Sequence, residues 1–308
     1  MKKKEATSNA RQKISWKEKS KVQGDFRFDV INMIALTILM LIFFYPMYLC
    51  LISAISSPEE VFAGRVLLIP KGFNAEGFQR VLQNDSLWRG YLNSICYTIL
   101  GTAINLALTM TGAFVLSRKT FALRGVLNWM VLITMFFGGG MIPTYLVIRD
   151  LGIIDTYWAL WLPGLVSTYN MLVMRTFFTN ISSELEDAAR IDGCNEIRLL
   201  LQIFLPLSLP CIATIALFYA VGFWNMFQSV LIYINSTAKH NLSVLVNNMI
   251  REQLIITSDF IQAEDISTAT PQGVQAAGII VMIFPIMCVY PFLQRYFVKG
   301  VMLGSVKG

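Results

Sequence analysis

Residues 203–234 read IFLPLSLPCIATIALFYAVGFWNMFQSVLIYI, and they contain no Asp, Glu, Lys, Arg or His. An α-helix rises about 1.5 Å per residue, so about 20 such residues cross a hydrocarbon layer about 30 Å thick. Five further charge-free stretches accompany this one: 30–52, 92–116, 126–148, 157–174 and 274–294. Each has at least 18 residues. We therefore predict an all-α membrane protein with six transmembrane helices.

The composition of the 308-residue chain argues against a soluble protein. Hydrophobic residues make up 55% and charged residues 14%, whereas a soluble domain carries about 25% charged residues. The five cysteines form no CxxC pair and His240 is the only histidine, so the sequence offers no zinc or disulfide framework. It also offers no nucleophile paired with a base near one membrane face. We predict no catalytic residues and no metal site.

Lysine and arginine are distributed unevenly among the segments between the apolar stretches. If the N-terminus is cytoplasmic, 18 of the 25 basic residues lie in cytoplasmic segments and 7 lie in external loops. This distribution follows the positive-inside rule, so both termini are predicted to be cytoplasmic. The net charge of +6 then reflects topology and not nucleic-acid binding.

This topology divides the chain into segments. We predict, in order, a basic cytoplasmic tail, a first transmembrane helix, an extracytoplasmic loop, a transmembrane core and a cytoplasmic tail: 1–29, 30–52, 53–91, 92–298 and 299–308. The first helix is expected to be retained, because no small-residue cleavage site follows a short apolar core. Ser57-Pro58 indicates a helix start, so the first external loop is expected to carry short surface helices.

A glycine run interrupts the third apolar stretch. Gly138, Gly139 and Gly140 are followed closely by Pro143, a pattern that breaks an ordinary helix. Within a membrane such a break needs neighbouring helices or a hydrated path to satisfy the backbone. Two interpretations stay open: a bend that faces a cavity, or the end of the helix near the outer membrane surface.

The polar segment before residue 203 has the pattern of two short helices joined by a turn. Ser183 and Glu186 have the spacing of a capping box, which predicts a helix start. Gly193 predicts a left-handed turn at the end of that helix, and a second helix is expected from Glu196. The small side chains of Ala188 and Ala189 would allow another protein to approach closely. The alternative is a solvated helix at the membrane surface.

Seven residues of this region resemble the EAA loop of binding-protein-dependent ABC importer permeases. The spacing of Asp187-Ala188-Ala189, Gly193, Ile203 and Leu205-Pro206 matches that motif, within a cytoplasmic loop predicted over 179–206. Asp187 stands where the motif has Glu, and Glu186 directly precedes it. The resemblance implies the type I ABC importer permease fold with a cytoplasmic coupling helix. It also implies coupling to an ATPase through these residues: Glu186, Asp187, Ala188, Ala189, Gly193, Ile203, Leu205 and Pro206.

Other motifs resemble the carbohydrate branch of this family, which includes the smaller permease of the maltose transporter. They are Asn93-Ser94, Trp224-Asn225 and the run 294–300, while 141–145 and 155–164 are similar to the subgroup that handles complex oligosaccharides. The resemblance implies a bacterial inner-membrane subunit that pairs with a second, homologous permease. Two ATPase subunits would bind ATP and Mg, and an extracytoplasmic solute-binding protein would deliver an oligosaccharide, meeting the external loop over 235–273. This chain would bind no cofactor itself, and it contains no GxxxxGK[ST] phosphate loop.

Polar residues within the fifth stretch are candidates for the sugar path. A continuous helix would place Asn225, Gln228 and Ser229 on one face, with Trp224 beside them as an aromatic plane. Hydrogen bonding between helices is the alternative use of such residues in membranes. For Thr102, Asn105 and Thr109 in the second stretch, that packing role is favoured.

A secondary active transporter of a small polar solute is the rival function. Ion coupling usually places an ionisable group within the membrane. The six apolar stretches contain none, so the sequence favours the ATP-driven importer.

Overall fold

The computed structural model describes residues 26–259 and 271–305, with side chains described for 28–251 and 272–291. The predicted tail over 1–29 therefore lies largely outside the described residues, as does part of the predicted external loop, whereas residues 299–305 of the predicted C-terminal tail are helical. In the described part every named element is helical, and one isolated antiparallel bridge joins Ser56 to Phe73. The expected all-α class is confirmed.

The helices follow one another with short connections. In chain order, the α-helices are α1 Phe26–Ala54, α2 Pro58–Phe62, α3 Glu76–Leu82, α4 Asp85–Ser117, α5 Arg124–Phe136, α6 Met141–Asp150, α7 Trp158–Trp161, α8 Thr168–Thr179, α9 Ser183–Ile191, α10 Glu196–Leu199, α11 Leu205–Leu207, α12 Leu209–Trp224, α13 Gln228–Tyr233, α14 Leu242–Asp259 and α15 Pro271–Ser305. Two 3-10 turns, Leu162–Gly164 and Thr237–Lys239, and a π-helical turn, Leu200–Phe204, complete the described helical structure.

Three described helices are long and apolar enough to cross a membrane: α1, α4 and α15. Two bent pairs meet the same criteria together, α5 with α6 at 118° and Glu196–Leu207 with α12 at 86°. The described residues therefore hold three to five candidate spans by length and composition. The break at 137–140 ends α5 at Phe136, so the third stretch does not continue straight.

The fourth apolar stretch is not one continuous helix. It divides into α7, the turn Leu162–Gly164 and α8. Pro163 lies in the first positions of the 3-10 turn, and Ser167 caps α8 by accepting a hydrogen bond from the amide of Asn170. Pro has no amide hydrogen and Ser favours a cap position, so local chemistry interrupts a segment that hydropathy alone would make continuous.

The core is built around α4, which packs against α8, α12 and α14. One cluster of buried side chains, including Tyr97, Met174 and Ile215, joins α4 to α8 and α12. A second cluster, including Leu87 and Ala277, joins α4 to α14 and α15. Gly101 brings α4 close to α12, because a Cβ there would lie 2.7 Å from the ring of Phe223.

The two ends of α4 contact different parts of the chain. Near its start, Asn93 donates hydrogen bonds to the carbonyls of Ala238 and His240. Just beyond its last residue, Arg118 forms an ion pair with Glu186 in α9. At about 1.5 Å per residue, α4 is about 50 Å long. The segment around α9 and the loop around residue 239 therefore lie at opposite ends of the molecule.

Candidate coupling site

The N-terminus of α9 is capped differently from the prediction. Ser182, not Ser183, is the N-cap, and its Oγ accepts a hydrogen bond from the amide of Glu184 at 3.2 Å. The helix thus begins one residue earlier than the capping box required. Glu186 then lies beyond the third helical position and its carboxylate is directed to arginines. The predicted capping box is therefore wrong, although the predicted helix is present.

The C-terminus of α9 has the predicted glycine turn. Gly193 has φ +80°, and its amide donates to the carbonyl of Arg190 at 3.0 Å. The amide of Cys194 donates to the carbonyl of Ala189 at 3.0 Å. These two bonds form a Schellman motif, which satisfies the last carbonyls of a helix and favours glycine at the left-handed position.

A second helical segment, Glu196–Leu207, follows the turn and meets α12 at 86°. Asn195 caps it by accepting a hydrogen bond from the amide of Arg198 at 2.8 Å. Its middle is the π-helical turn Leu200–Phe204, a form that occurs mostly as short turns at functional positions. Ile203 and Leu205 pack partly buried against the core, whereas Pro206 is exposed. We call residues 182–208 the coupling segment.

Glu186 is the centre of an ion-pair network that faces the rest of the molecule. It pairs with Arg118, and its Oε1 accepts hydrogen bonds from Arg190 Nη2 at 3.0 Å and Nε at 3.2 Å. Arg190 also pairs with Glu196 across the glycine turn. The hydrogen bonds that Arg190 donates to Glu186 and then to Glu196 raise the pKa of Arg190 above its usual value. The network therefore links the two helices of the coupling segment.

Arg118 carries this network into the core. Its side chain is 11% exposed, and its guanidinium carbon lies 4.1 Å from the ring centroid of Phe114 and 4.5 Å from that of Phe204. Both distances are within the range of cation–π attraction. Phe178 completes the aromatic group, at 6.4 Å from Phe114 and 5.5 Å from Phe204. Arg118 therefore connects α9 to α4 through Phe114 and to the π-helical turn through Phe204, and Phe178 of α8 packs against both rings.

The predicted coupling residues fall on different sides of α9. Ala189 is buried against the core cluster, whereas Asp187 and Ala188 are exposed. Glu186 faces inward, and among the described residues no hydrogen bond or ion pair is found for the side chain of Asp187. Ala188 is therefore accessible to a partner protein. The expectation that Ala189 is also accessible is wrong, because the core covers it.

The coupling segment carries a set of exposed apolar side chains, which the sequence interpretation missed. Its members are large hydrophobic side chains in an otherwise polar segment: Leu185, Ile191, Ile197 and Leu201. Ile191, in the last helical position of α9, is 85% exposed. We call these four residues the apolar coupling surface. Large exposed apolar patches mark sites of contact with other proteins or with a membrane. The sequence signal that could have revealed these side chains is the presence of apolar residues inside a charged loop.

The residues predicted for the sugar path do not share a helix face. Helix α12 ends at Trp224, Asn225 is its C-cap, and α13 begins at Gln228. Trp224 lies 6.5 Å from Tyr91 and packs in the second core cluster. Asn225 Nδ2 donates to the carbonyl of Val221 at 2.9 Å within its own helix. The predicted continuous face is wrong because residues 225–227 are not helical and separate α12 from α13.

The remaining two predicted path residues lie beyond the break. Gln228 Nε2 lies 3.3 Å from the sulfur of Met141. Ser229 is half-buried in α13. Gln228 therefore contacts the second half of the bent α5–α6 pair, and its predicted role on the path stays a prediction.

Two polar residues of the second stretch do connect helices, as favoured from the sequence. Asn105 Nδ2 donates to the carbonyl of Gly164 at 2.6 Å, and Thr109 Oγ1 lies 2.6 Å from the hydroxyl of Tyr219. The same tyrosine hydroxyl accepts from the amide of Ser167 at 2.9 Å. These bonds satisfy backbone groups freed by the break between α7 and α8. Thr102 Oγ1 is buried without a hydrogen-bond partner among the described residues.

At the other end of the molecule, Asp155 fastens two loops together. Its φ is +59°, and its carboxylate accepts hydrogen bonds from the amides of Asn235 at 3.1 Å and Ser236 at 2.9 Å. Lys239 Nζ lies 3.0 Å from Asp155 Oδ2. Hydrogen bonds from Ser236, followed by Lys239, hold the pKa of Asp155 well below its usual range. We call this arrangement the Asp155 clasp. Asp259, Glu264 and Asp265, expected in the same external region, lie outside the described side chains.

Similarity to known proteins agrees with this architecture. Residues 28–303 match the family described as "Binding-protein-dependent transport system inner membrane component". The chain is 38% identical over 286 residues to the polygalacturonan/rhamnogalacturonan transport system permease protein YtcP of Bacillus subtilis (strain 168), covering 91% of this chain and 98% of YtcP. It is 40% identical over 285 residues to Protein LplC of the same strain, covering 91% and 95%.

A solved structure has the same fold. It is a crystal structure of a bacterial ABC transporter involved in the import of the acidic polysaccharide alginate, and one of its chains is 32% identical to this one. The two align with a TM-score of 0.81 over 89% of this chain and 98% of the other. The expected type I importer permease fold is confirmed. The chain belongs to the family of inner-membrane components of binding-protein-dependent transport systems.

Proposed function

We propose that this chain is one of two permease subunits of an ATP-driven importer of oligosaccharides. Its coupling segment would seat against a separate ATPase subunit, and a solute-binding protein would present the sugar at the end that carries the Asp155 clasp. The ATPase subunits would bind ATP and Mg. The coupling segment and both termini would lie in the cytoplasm, as the distribution of basic residues favours.

The observation that carries this proposal is the two-sided character of α9. Its outer side offers the apolar coupling surface, with Ile191 almost fully exposed. Its inner side is tied through Glu186 and Arg118 to the rings of Phe114 in α4 and Phe204 in the π-helical turn. A force applied to the outer side would therefore reach two helices that line the core. A helix that was merely solvated would need neither the apolar surface nor the inward ion pair.

The substrate class follows from the relatives. YtcP is named for polygalacturonan and rhamnogalacturonan, and the solved relative for alginate. A 26% identical relative from Halalkalibacterium halodurans, AraQ, is named for arabinooligosaccharides. These names share a carbohydrate polymer or its fragments, which supports an oligosaccharide as the cargo of this chain.

Transport by the reconstituted assembly tests the function. This chain, its second permease, the ATPase subunits and the binding protein are placed in vesicles with three labelled probes: trigalacturonate, arabinotriose and an alginate trisaccharide. We expect ATP-dependent uptake of at least one probe and none with an ion gradient alone. Uptake driven by the gradient without ATP would instead support the secondary transporter.

Docking to the ATPase tests the coupling segment separately. We expect Ile191→Asp to prevent co-purification of the ATPase, because a charge would be placed in the centre of an apolar contact. Ile191→Leu, which keeps the apolar surface, is the matched control and should co-purify normally. Equal recovery of the ATPase with both variants would refute the proposed surface.

The two neighbouring acids should behave differently. Asp187→Asn removes an exposed charge and should weaken ATPase association with little effect on this chain alone. Glu186→Gln weakens the pair with Arg118 and should loosen α9 from the core. Affinity for the ATPase, measured in low salt, and amide exchange of α9 separate these two effects. Identical behaviour of both variants would contradict the division of roles.

A further inference from the structure

The loop between α2 and α3 is closed at its base. Residues 63–73 form no helix, and we call them the return loop. The amide of Ser57 donates a hydrogen bond to the carbonyl of Lys71 at 2.9 Å, and the amide of Asn74 donates to the carbonyl of Ile55 at 3.0 Å. These bonds hold the two ends of the loop together beside the last residues of α1.

The tip of the return loop folds back along α1. The hydroxyl of Tyr48 donates to the carbonyl of Leu68 at 2.6 Å, and the hydroxyl of Tyr45 donates to the carbonyl of Leu67 at 3.2 Å. Tyr45 lies nine residues before Ala54, the last residue of α1. At about 1.5 Å per residue, the tip therefore reaches about 13 Å back from the end of the helix.

The length of α1 sets the depth of this tip in a membrane. The helix has 29 residues and includes an apolar candidate span, Phe28–Ala54. Its length of about 43 Å matches a bilayer of about 40–45 Å that includes the head groups. With α1 across the bilayer, Tyr45 and Tyr48 lie near the boundary between head groups and acyl chains, where tyrosines are enriched. The tip of the return loop lies at the same level.

The exposed side chains of the tip are large and apolar. They belong to Leu67, Leu68 and Ile69, which are 58%, 68% and 71% exposed. Val66 is buried, so the loop is packed on one side and uncovered on the other. Backbone carbonyls at this depth need hydrogen-bond donors, and the two tyrosines supply them for residues 67 and 68. The tip therefore presents an apolar surface, two of whose carbonyls are already bonded.

Basic residues stand on both sides of the apolar tip. Arg65 precedes it and pairs with Glu60 of α2 at 3.3 Å, with its own side chain 61% exposed. Lys71 follows it, and no hydrogen bond or ion pair is found for its side chain among the described residues. Long basic side chains keep their stems on apolar surroundings and their charges in the polar layer. Glu59 and Glu60 balance the two positive charges, so apolar burial and not net charge must supply the affinity for a partner.

We propose that the return loop inserts its tip into the membrane leaflet at the C-terminal end of α1, so that Leu67, Leu68 and Ile69 contact lipid acyl chains. Arg65 and Lys71 lie at the phosphates of the same lipids. Lipid is the occupant because the tip lies below the level at which a water-soluble partner docks, and because its basic flanks match the order of acyl chains and phosphates. The inference requires that α1 crosses the membrane and is independent of the transported cargo. In the proposed topology this leaflet is the outer one.

Fluorescence quenching tests the contact with lipid. The five cysteines are replaced by serine or alanine, and Leu68→Cys is labelled with a nitrobenzoxadiazole dye. The permease pair and its ATPase are placed in nanodiscs of phosphatidylethanolamine and phosphatidylglycerol. We expect quenching by a lipid that carries a nitroxide near the top of its acyl chain, and little quenching by iodide. Glu59→Cys, at an exposed position of α2, is the control and should show the reverse order.

Two results would overturn the lipid contact. One is quenching by iodide at residue 68 as strong as at residue 59, which would place the tip in water. The other is protection of residue 68 from both quenchers, which would mean that a partner protein covers the tip. Neither measurement uses a substrate, so a failure of sugar uptake leaves this test unaffected.

Removing the two tyrosine hydroxyls tests how the tip is held. Tyr45→Phe combined with Tyr48→Phe keeps both rings. We expect the amides of residues 65–71 to exchange at least about fivefold faster, because two hydrogen bonds are lost, and iodide quenching at residue 68 to rise. Tyr290→Phe, at an exposed position of α15, is the control and should change neither. Unchanged exchange and quenching in the double variant would overturn the anchoring of the return loop by α1.

Discussion

Replacing Arg118 with methionine isolates the link between α9 and the core. Methionine keeps much of the apolar stem but removes the guanidinium, which lies over Phe114 and Phe204 and pairs with Glu186. The fold should survive, because the three rings still pack against one another. The expected change is a loss of the fixed position of α9.

The size of the effect follows from the surroundings of the pair. A cation–π contact contributes about 0.5–2 kcal/mol depending on desolvation. An ion pair is worth about 0–1 kcal/mol at the surface, whereas removing one partner of a buried pair costs about 3–5 kcal/mol. Arg118 is 11% exposed, but Glu186 is 23% exposed and keeps Arg190 as a partner. We therefore expect about 2–3 kcal/mol, which corresponds to about a 30- to 150-fold smaller preference for the docked position of α9.

Amide exchange and transport report this change directly. In Arg118→Met, we expect faster exchange over residues 183–191 and reduced uptake per ATP hydrolysed by the reconstituted importer. Arg190→Met is the matched control, since it removes the more exposed partner of the same carboxylate, and a pair spaced i,i+4 contributes about 0.3–0.5 kcal/mol. Arg118→Lys should be intermediate, because lysine keeps the charge but not the planar group that stacks. Unchanged exchange in Arg118→Met, or an equal effect of Arg190→Met, would refute the role assigned to Arg118.

Two further predictions concern backbone and pH. At Gly193 a Cβ would meet no atom within 4 Å. Gly193→Ala should therefore lower the free energy of unfolding only by the strain of the left-handed conformation, about 1–2 kcal/mol, and Gly193→Asn by less. Equal melting temperatures of the two purified variants and the unchanged chain would contradict this. For the Asp155 clasp, the lowered pKa means that its stabilising effect is present above the usual carboxyl pKa of about 3.9 and is lost only as the pH falls through the lower folded-state pKa. Protection of the amides over residues 234–239, relative to their intrinsic exchange rates, should therefore be the same at pH 7 and pH 5 in the unchanged chain and lower at both in Asp155→Asn. Loss of protection between pH 7 and pH 5 would exclude the clasp.

Hydropathy located those membrane helices whose structure depends only on the residues of the helix itself. The stretches 30–52, 92–116 and 274–294 lie inside α1, α4 and α15, which continue past the apolar limits at both ends. The prediction of one helix over 157–174 is wrong. The backbone groups freed by its interruption bond to Asn105 and Tyr219, which belong to other helices. An absence of charge cannot distinguish a straight helix from one whose break is bonded by its neighbours.

The coupling region shows the same division. The turn at Gly193 depends on one residue and its nearest neighbours, and the sequence predicted it. The ion pair between Glu186 and Arg118 joins segments that are far apart in the chain. No local sequence pattern predicts it. The predicted shared face of the sugar-path residues is wrong because it assumed an unbroken helix through Trp224 and Ser229, whereas α12 ends at Trp224. Their role on the path stays a prediction.

Helix α4 also determines how movement is shared along the molecule. It is a single helix of 33 residues with the coupling segment at one end and the Asp155 clasp region at the other. A tilt of about 10° around its midpoint would displace each end by about 4 Å in opposite directions. Asn105 lies close to that pivot and would hardly move. The contacts in the middle of the helix would thus be preserved while both ends shift against their neighbours.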